Sequence, residues 1–247
     1  MTTDPPTPAN GSVDPADHPP RPFPEDDWRW FVERCRSLGI ADPQAQRPIL
    51  EALYGHLAGV NTWCNLTRLS DARSYLARHV LDALTVFAGD GCLAPDGRQP
   101  CLDIGSGGGY PGLPLALWLA DSRWTLIDNR RRKAAFLSAA AGLIGPRVRA
   151  HHLRAAEAPT RHPQLRRSQG WVCARAVADA SLLLREAAGL LAPGGLLVLY
   201  KGPSYLDEEA ARCCDAAARL GYAPAGLQRV TPDPADGERL LAGFRRL

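Results

Sequence analysis

Leu102-Asp103-Ile104-Gly105-Ser106-Gly107-Gly108-Gly109-Tyr110-Pro111-Gly112-Leu113-Pro114 is the stretch on which the fold turns. Cys101 to Ile104 is a short apolar run broken by one acid, which reads as a buried strand ending at Gly105. A glycine-dense turn follows, and Pro111 stands where a helix can begin ahead of the apolar run Leu113 to Ala120. Strand, glycine turn and helix together form the opening of a nucleotide-type site. Glycines let the backbone turn sharply and approach a ligand, and a helix N-terminus offers free N–H groups. A dinucleotide fingerprint places its third glycine three residues after the second. Tyr110 occupies that position, which disfavours a pyrophosphate cradle.

Trp124-Thr125-Leu126-Ile127 is a second strand candidate, ended by Asp128. In a right-handed βαβ unit the C-terminal ends of consecutive strands lie side by side. An acid about 20 residues past the glycine turn can then accept hydrogen bonds from ribose hydroxyls. The plainer role for Asp128 is to cap a helix starting near Arg130.

Outward from this centre the chain alternates. Helical patterns at Phe136–Leu143, Leu182–Leu191 and Leu206–Leu220 are interleaved with strand patterns at Val148–Leu153, Trp171–Ala174 and Leu196–Tyr200. Pro193-Gly194-Gly195 reads as the end of a helix. Tyr222–Val230 and Arg239–Phe244 form a closing hairpin pattern. The fold class is α/β, with a mostly parallel sheet covered by helices on both faces.

Before the first strand, Trp28, Phe31, Val32, Cys35 and Leu38 repeat at helical spacing, as do Ile49, Leu50, Leu53, Leu57 and Val60. A third helix is expected over Asp71 to Phe87, and Gly89 to Arg98 reads as a loop. The division expected is a disordered Pro-rich tail at 1–24, a helical cap at 25–98 and a ligand-binding domain at 99–247. The tail expectation rests on its near lack of large apolar side chains.

The 247 residues carry a net charge of +3. Charge is unevenly spread: from Asn129 to Arg175 there are eleven Arg or Lys and one acid, Glu157. A basic block suggests a polyanionic partner, while an arginine-rich composition would scatter such charge without function. The pattern contains neither an apolar run of about 18 residues nor a basic-then-apolar leader, so no membrane span or signal peptide is expected. The seven scattered cysteines lack a C-x-x-C pair, which points to reduced thiols in a cytoplasmic protein without structural zinc.

Several motifs occur in a fixed order: Asn65-Leu66-Thr67, Arg78-His79-x-x-Asp82, Asp103 to Gly112, Lys133-Ala134-Ala135-Phe136-Leu137, Ala155-Ala156-Glu157, Ala174-Arg175-Ala176, Lys201-Gly202 and Asp236-Gly237-Glu238-Arg239. Over about residues 25–247 this ordered set resembles the bacterial ribosomal RNA small subunit methyltransferase G family, also called the glucose-inhibited division protein B family. That is a class I S-adenosylmethionine-dependent methyltransferase family. Ser106, Tyr110 and Cys64 depart from its usual residues without touching the chemistry.

The resemblance implies a Rossmann-like, mostly parallel seven-stranded sheet with an N-terminal helical cap. It implies methylation of N7 of a guanine in 16S ribosomal RNA, with S-adenosyl-L-methionine as cofactor and the small ribosomal subunit or an assembly intermediate as partner. No obligate protein partner, metal or catalytic base is implied. The cofactor residues it implies are Gly105, Gly107, Tyr110, Asp128, Ala156, Glu157 and Arg175. A non-catalytic RNA-binding or assembly factor on the same fold is the alternative, and a dinucleotide oxidoreductase is a third reading. His79 and Asp82 share a helix face, and they serve either the site or the closure of the cap.

Overall fold

The computed structural model describes residues 11–68, 71–175 and 179–247. Its seven strands are β1 Cys101–Ile104, β2 Trp124–Asp128, β3 Val148–His152, β4 Gln169–Arg175, β5 Leu191–Lys201, β6 Tyr222–Val230 and β7 Arg239–Arg246. They form one sheet in the order β3-β2-β1-β4-β5-β7-β6. Pairs among β1 to β5 are parallel, and β7 runs antiparallel to both β5 and β6. The order reverses direction at β1 and β4, where the C-terminal ends of neighbouring strands part and a ligand crevice opens. All four β1 residues are buried, as a central parallel strand covered on both faces requires.

The helices are α1 Glu25–Ser37, α2 Pro43–Cys64, α3 Ala72–Tyr75, α4 Asp82–Leu84, α5 Gly112–Trp118, α6 Arg131–Ile144, α7 Ala158–Arg161, α8 Ala180–Ala188, α9 Tyr205–Glu208 and α10 Ala210–Arg219. A π turn, Leu76–Leu81, joins α3 to α4, and a 3₁₀ turn, Thr85–Phe87, follows, so the helix expected over 71–87 is one continuous but irregular stretch. On one face of the sheet, Phe31, Leu50, Leu81, Leu113 and Phe136 belong to a single core. The helical cap therefore has no core of its own. On the other face, Leu102, Ile127 and Val172 pack with Leu184 and Ala217 of α8 and α10.

Two local expectations need correction. The tail is not disordered where it is described: residues 11–24 lie along α2, with His18 and Phe23 buried. Phe23 stacks on Trp28, Tyr54 and Tyr75. Gly55 and Gly59 make room for this strap, because a Cβ at Gly55 would collide with the carbonyl oxygen of Pro19 and one at Gly59 with the ring of His18. His18 set against Gly59 and Phe23 set among aromatic rings outweigh a polar composition. Residues 1–10 lie outside the described residues. Pro193-Gly194-Gly195 does not end a helix; it lies within β5, opposite a register shift between Gln169 and Trp171 of β4. The loop 89–98 is anchored by Leu93, fully buried, whose carbonyl accepts from the Trp171 indole at 2.9 Å.

Candidate functional site

At the C-terminal ends of β1 and β2 the glycine turn closes over a cavity of about 390 Å³. Gly105 and Gly107 take φ of 67° and 58°, a left-handed conformation that side chains disfavour. A Cβ at Gly107 would project to within 3.8 Å of the Lys133 amine and fill part of the cradle. The Ser106 N–H donates to the Ile127 carbonyl at 3.0 Å, pinning the turn to β2.

Asp128 does more than cap a helix. Its Oδ2 accepts from the Gly107 N–H at 3.0 Å and its Oδ1 from the Arg130 N–H at 2.8 Å. The N-cap position of α6 is Arg130, so the Asp128 carboxylate holds the loop ahead of the helix and the glycine turn together. A carboxylate has about four acceptor sites, so each oxygen retains capacity for a ligand hydroxyl.

Asp103 is fully buried beneath the turn. Its Oδ2 accepts from the Gly112 N–H at 2.9 Å, and among the described residues its Oδ1 has no hydrogen-bond partner. Burial pushes its carboxyl up to about 7, against the opposing pull of the Gly112 bond. Gly112 is required at that contact, since a Cβ would stand 2.8 Å from Asp103 Oδ2.

A second cavity of about 500 Å³ adjoins the ends of β4, β5 and β7, lined by Arg78, Asp82, Arg175, Lys201, Glu209 and Arg239 among others. Buried Asp82 organises it: Oδ2 accepts from Arg175 Nη1 at 2.7 Å and Oδ1 from Arg239 Nε at 2.6 Å. Lys201 reaches Glu209 at 2.7 Å, and Arg78 reaches Asp236 at 2.8 Å. Each cation there meets a carboxylate.

Beside Arg175 of the second cavity stands His79. Arg175 Nη2 lies 3.3 Å from its Nδ1, and its Nε2 lies 2.9 Å from Thr67 Oγ1. A guanidinium only donates, so Nδ1 accepts and Nε2 carries the proton toward Thr67. Burial and the nearby Arg175 charge push the imidazole down to about 3. The ring stacks on Tyr110 with centroids 4.3 Å apart. Thr67 is delivered by the end of α2, where Asn65 takes φ of 52° and Asn61 Oδ1 accepts from the Leu66 and Thr67 N–H groups. The Asn65-Leu66-Thr67 motif is thus a helix terminus that positions a partner for His79.

Of the seven expected cofactor residues, Gly105, Gly107 and Asp128 converge on the first cavity. Ala156 and Glu157 are exposed on the 3₁₀ turn after β3; it is their neighbour Ala155 that lines the wall, and Glu157 pairs with Arg161 at 3.4 Å. The Tyr110 ring is buried against His79 and Tyr75, and its N–H donates to the Ser106 carbonyl at 3.1 Å, so neither reaches the cavity. Arg175 belongs to the second cavity; its sequence neighbour Ala176 lies outside the described residues. Sequence reasoning missed Leu153, Arg154, Leu182 and Glu186 on the first wall. Leu182 and Glu186 are four apart on one helix, a signal for a shared face but not for which face.

The family model for rRNA small subunit methyltransferase G matches residues 46–220. A ribosomal RNA small subunit methyltransferase G from Deinococcus deserti is 38% identical over 203 residues, covering 81% of this chain and 82% of its own. The corresponding protein from Pelotomaculum thermopropionicum is 33% identical, covering 76% and 77%. Among solved structures, a predicted O-methyltransferase from Agrobacterium tumefaciens superposes with a TM-score of 0.50 at 20% identity, covering 67% of this chain and 78% of its own, a likeness of fold alone.

Proposed function

The chain belongs to the ribosomal RNA small subunit methyltransferase G family, and from that premise we propose that it methylates N7 of a guanine in 16S ribosomal RNA, in the cytoplasm, using S-adenosylmethionine. The observation that carries the cofactor assignment is the convergence of the Gly105–Gly107 cradle with Asp128 in one cavity. The residues fit the group: the cradle leaves space that a Cβ would fill, and Asp128 keeps acceptor capacity for ribose hydroxyls. Gly105, Gly107 and Asp128 would hold the cofactor, with the apolar wall of Ile127, Leu153 and Ala155 against its base.

Bound S-adenosylmethionine supplies an electrophilic methyl group whose transfer to nitrogen leaves a neutral thioether. Guanine N7 has an in-plane lone pair and no proton to lose, so no side chain need act as a base. The chain's task is alignment, which can supply on the order of 7–11 kcal/mol when reacting atoms are held in register. The second cavity is assigned to the RNA. Its arginines can bond phosphate, while Asp82 and Glu209 offset their charge as the methylated guanine becomes cationic.

The test is transfer of labelled methyl from the cofactor to small-subunit RNA lacking the modification, followed by nucleoside mass mapping. A single N7-methylguanosine is expected. Label on another nucleobase position, or none on the RNA, overturns the reading.

A further inference from the structure

We infer that Glu186 is the residue by which this enzyme recognises the exocyclic amine of the cofactor's adenine. The inference rests on S-adenosylmethionine as the cofactor. Glu186 and Leu182 stand one turn apart on α8 and both line the first cavity, together with Leu153 and Ala155. With the ribose on Asp128, the base would lie against the rest of the wall, which Leu153, Ala155 and α8 form. Adenine carries one donor group, its amine, and otherwise presents ring nitrogens that accept. Besides Asp128, Glu186 is the carboxylate that lines this cavity among the described residues.

Three features mark Glu186 as more than a solvated acid. Partial burial pushes its carboxyl up, consistent with a group desolvated by the cavity; Arg154, on the same wall, opposes that shift through charge alone, and among the described residues nothing hydrogen-bonds or ion-pairs with the carboxylate. It sits in the last turn of α8, where the helix dipole disfavours negative charge, so helix stability does not account for it. Its neighbour Leu182 is 39% exposed on the same wall, leaving an apolar surface suited to a flat heterocycle beside an acceptor. Glu157, in contrast, does not line this cavity and pairs with Arg161 in solvent.

The experiment compares binding of S-adenosylhomocysteine and S-inosylhomocysteine to the full chain by calorimetry. The inosine nucleoside has a carbonyl where adenine has the amine. The wild type should prefer the adenosyl ligand by about tenfold or more, as for a hydrogen bond to a charged group. In Glu186→Gln, whose amide can donate to a carbonyl or accept from an amine, the preference should fall to about unity. Glu186→Ala should lose it as well while keeping the melting temperature, since no intramolecular bond is broken. A wild type that binds both nucleosides equally, or a Glu186→Gln variant that keeps the full preference, overturns the inference while leaving the cofactor assignment intact. A wild type that binds neither nucleoside overturns both.

Discussion

His79 shows how one half-buried side chain can be fixed by neighbours far apart in sequence. Thr67 accepts its proton, Arg175 donates to its other nitrogen, and Tyr110 covers its face. Protonation would set a second positive charge against the Arg175 guanidinium in a largely desolvated place. The folded imidazole titrates at about 3 and the unfolded one near its ordinary value of 6.5. Between those values the unfolded chain binds the extra proton, so stability should fall as pH drops from about 6.5 toward 3. Asp103 acts with the opposite sign: its raised carboxyl takes up a proton in the folded state, so its contribution is lost as pH rises toward 7. Comparing wild type with His79→Phe cancels that background. Between pH 4 and 6 the wild-type stability should climb more steeply than the variant's, by about 1.4 kcal/mol per pH unit for one proton. Equal slopes in urea titrations would mean that the imidazole is charged in the folded protein.

At the scale of elements, the strap of residues 11–24 and α2 depend on each other. The strap carries few apolar residues, yet Phe23 is set among Trp28, Tyr54 and Tyr75, and its N–H donates to Glu51 at 3.0 Å. Arg47 ties the same corner together through Glu25 and Glu51. Phe23→Ala should therefore cost about 3–5 kcal/mol, the range for truncating a buried aromatic. A drop in the urea midpoint with little change in the denaturant slope is the expected sign. A midpoint like that of the wild type would mean that the strap leaves α2 in solution. Strap and helix were legible only in part: the apolar spacing of α1 and α2 is local, whereas the notches at Gly55 and Gly59 have meaning only once residues 18 and 19 lie over them.

Across the whole molecule, the basic block divides between the two ends of the sheet. Arg130 and Lys133 line the first cavity, while Arg131 and Arg132 are exposed beside them at the ligand-binding edge. Arg166 and Arg167 precede β4, on the opposite edge. The start of α6 is where the helix dipole disfavours positive charge, so local stability does not explain its arginines. Arg131→Gln with Arg132→Gln should weaken RNA binding and reduce the salt slope of log K by roughly 0.7–0.9 for each phosphate no longer neutralised. Affinity for S-adenosylhomocysteine should hardly move. An unchanged slope in filter-binding titrations would assign this cluster to composition and place the RNA elsewhere.

The alternation of strand and helix, the glycine turn after β1, the acid that ends β2 and the closing hairpin are all legible in the sequence alone. These are local patterns: side-chain period, a run of residues without Cβ atoms, and turn chemistry act over a few positions. Which of the marked residues share a site is a matter of tertiary structure. Asp82 meets Arg175 across 93 positions and Arg239 across 157, which draws Arg175 out of the first cavity and into the second. Tyr110 turned inward because His79 and Tyr75 offered it an aromatic face, and Ala155 took the wall in place of Ala156 and Glu157. Glu186 entered the site because α8 packs against the turn after β3. Such placements follow from strand order and helix docking, which bring distant side chains together in ways that no local spacing encodes.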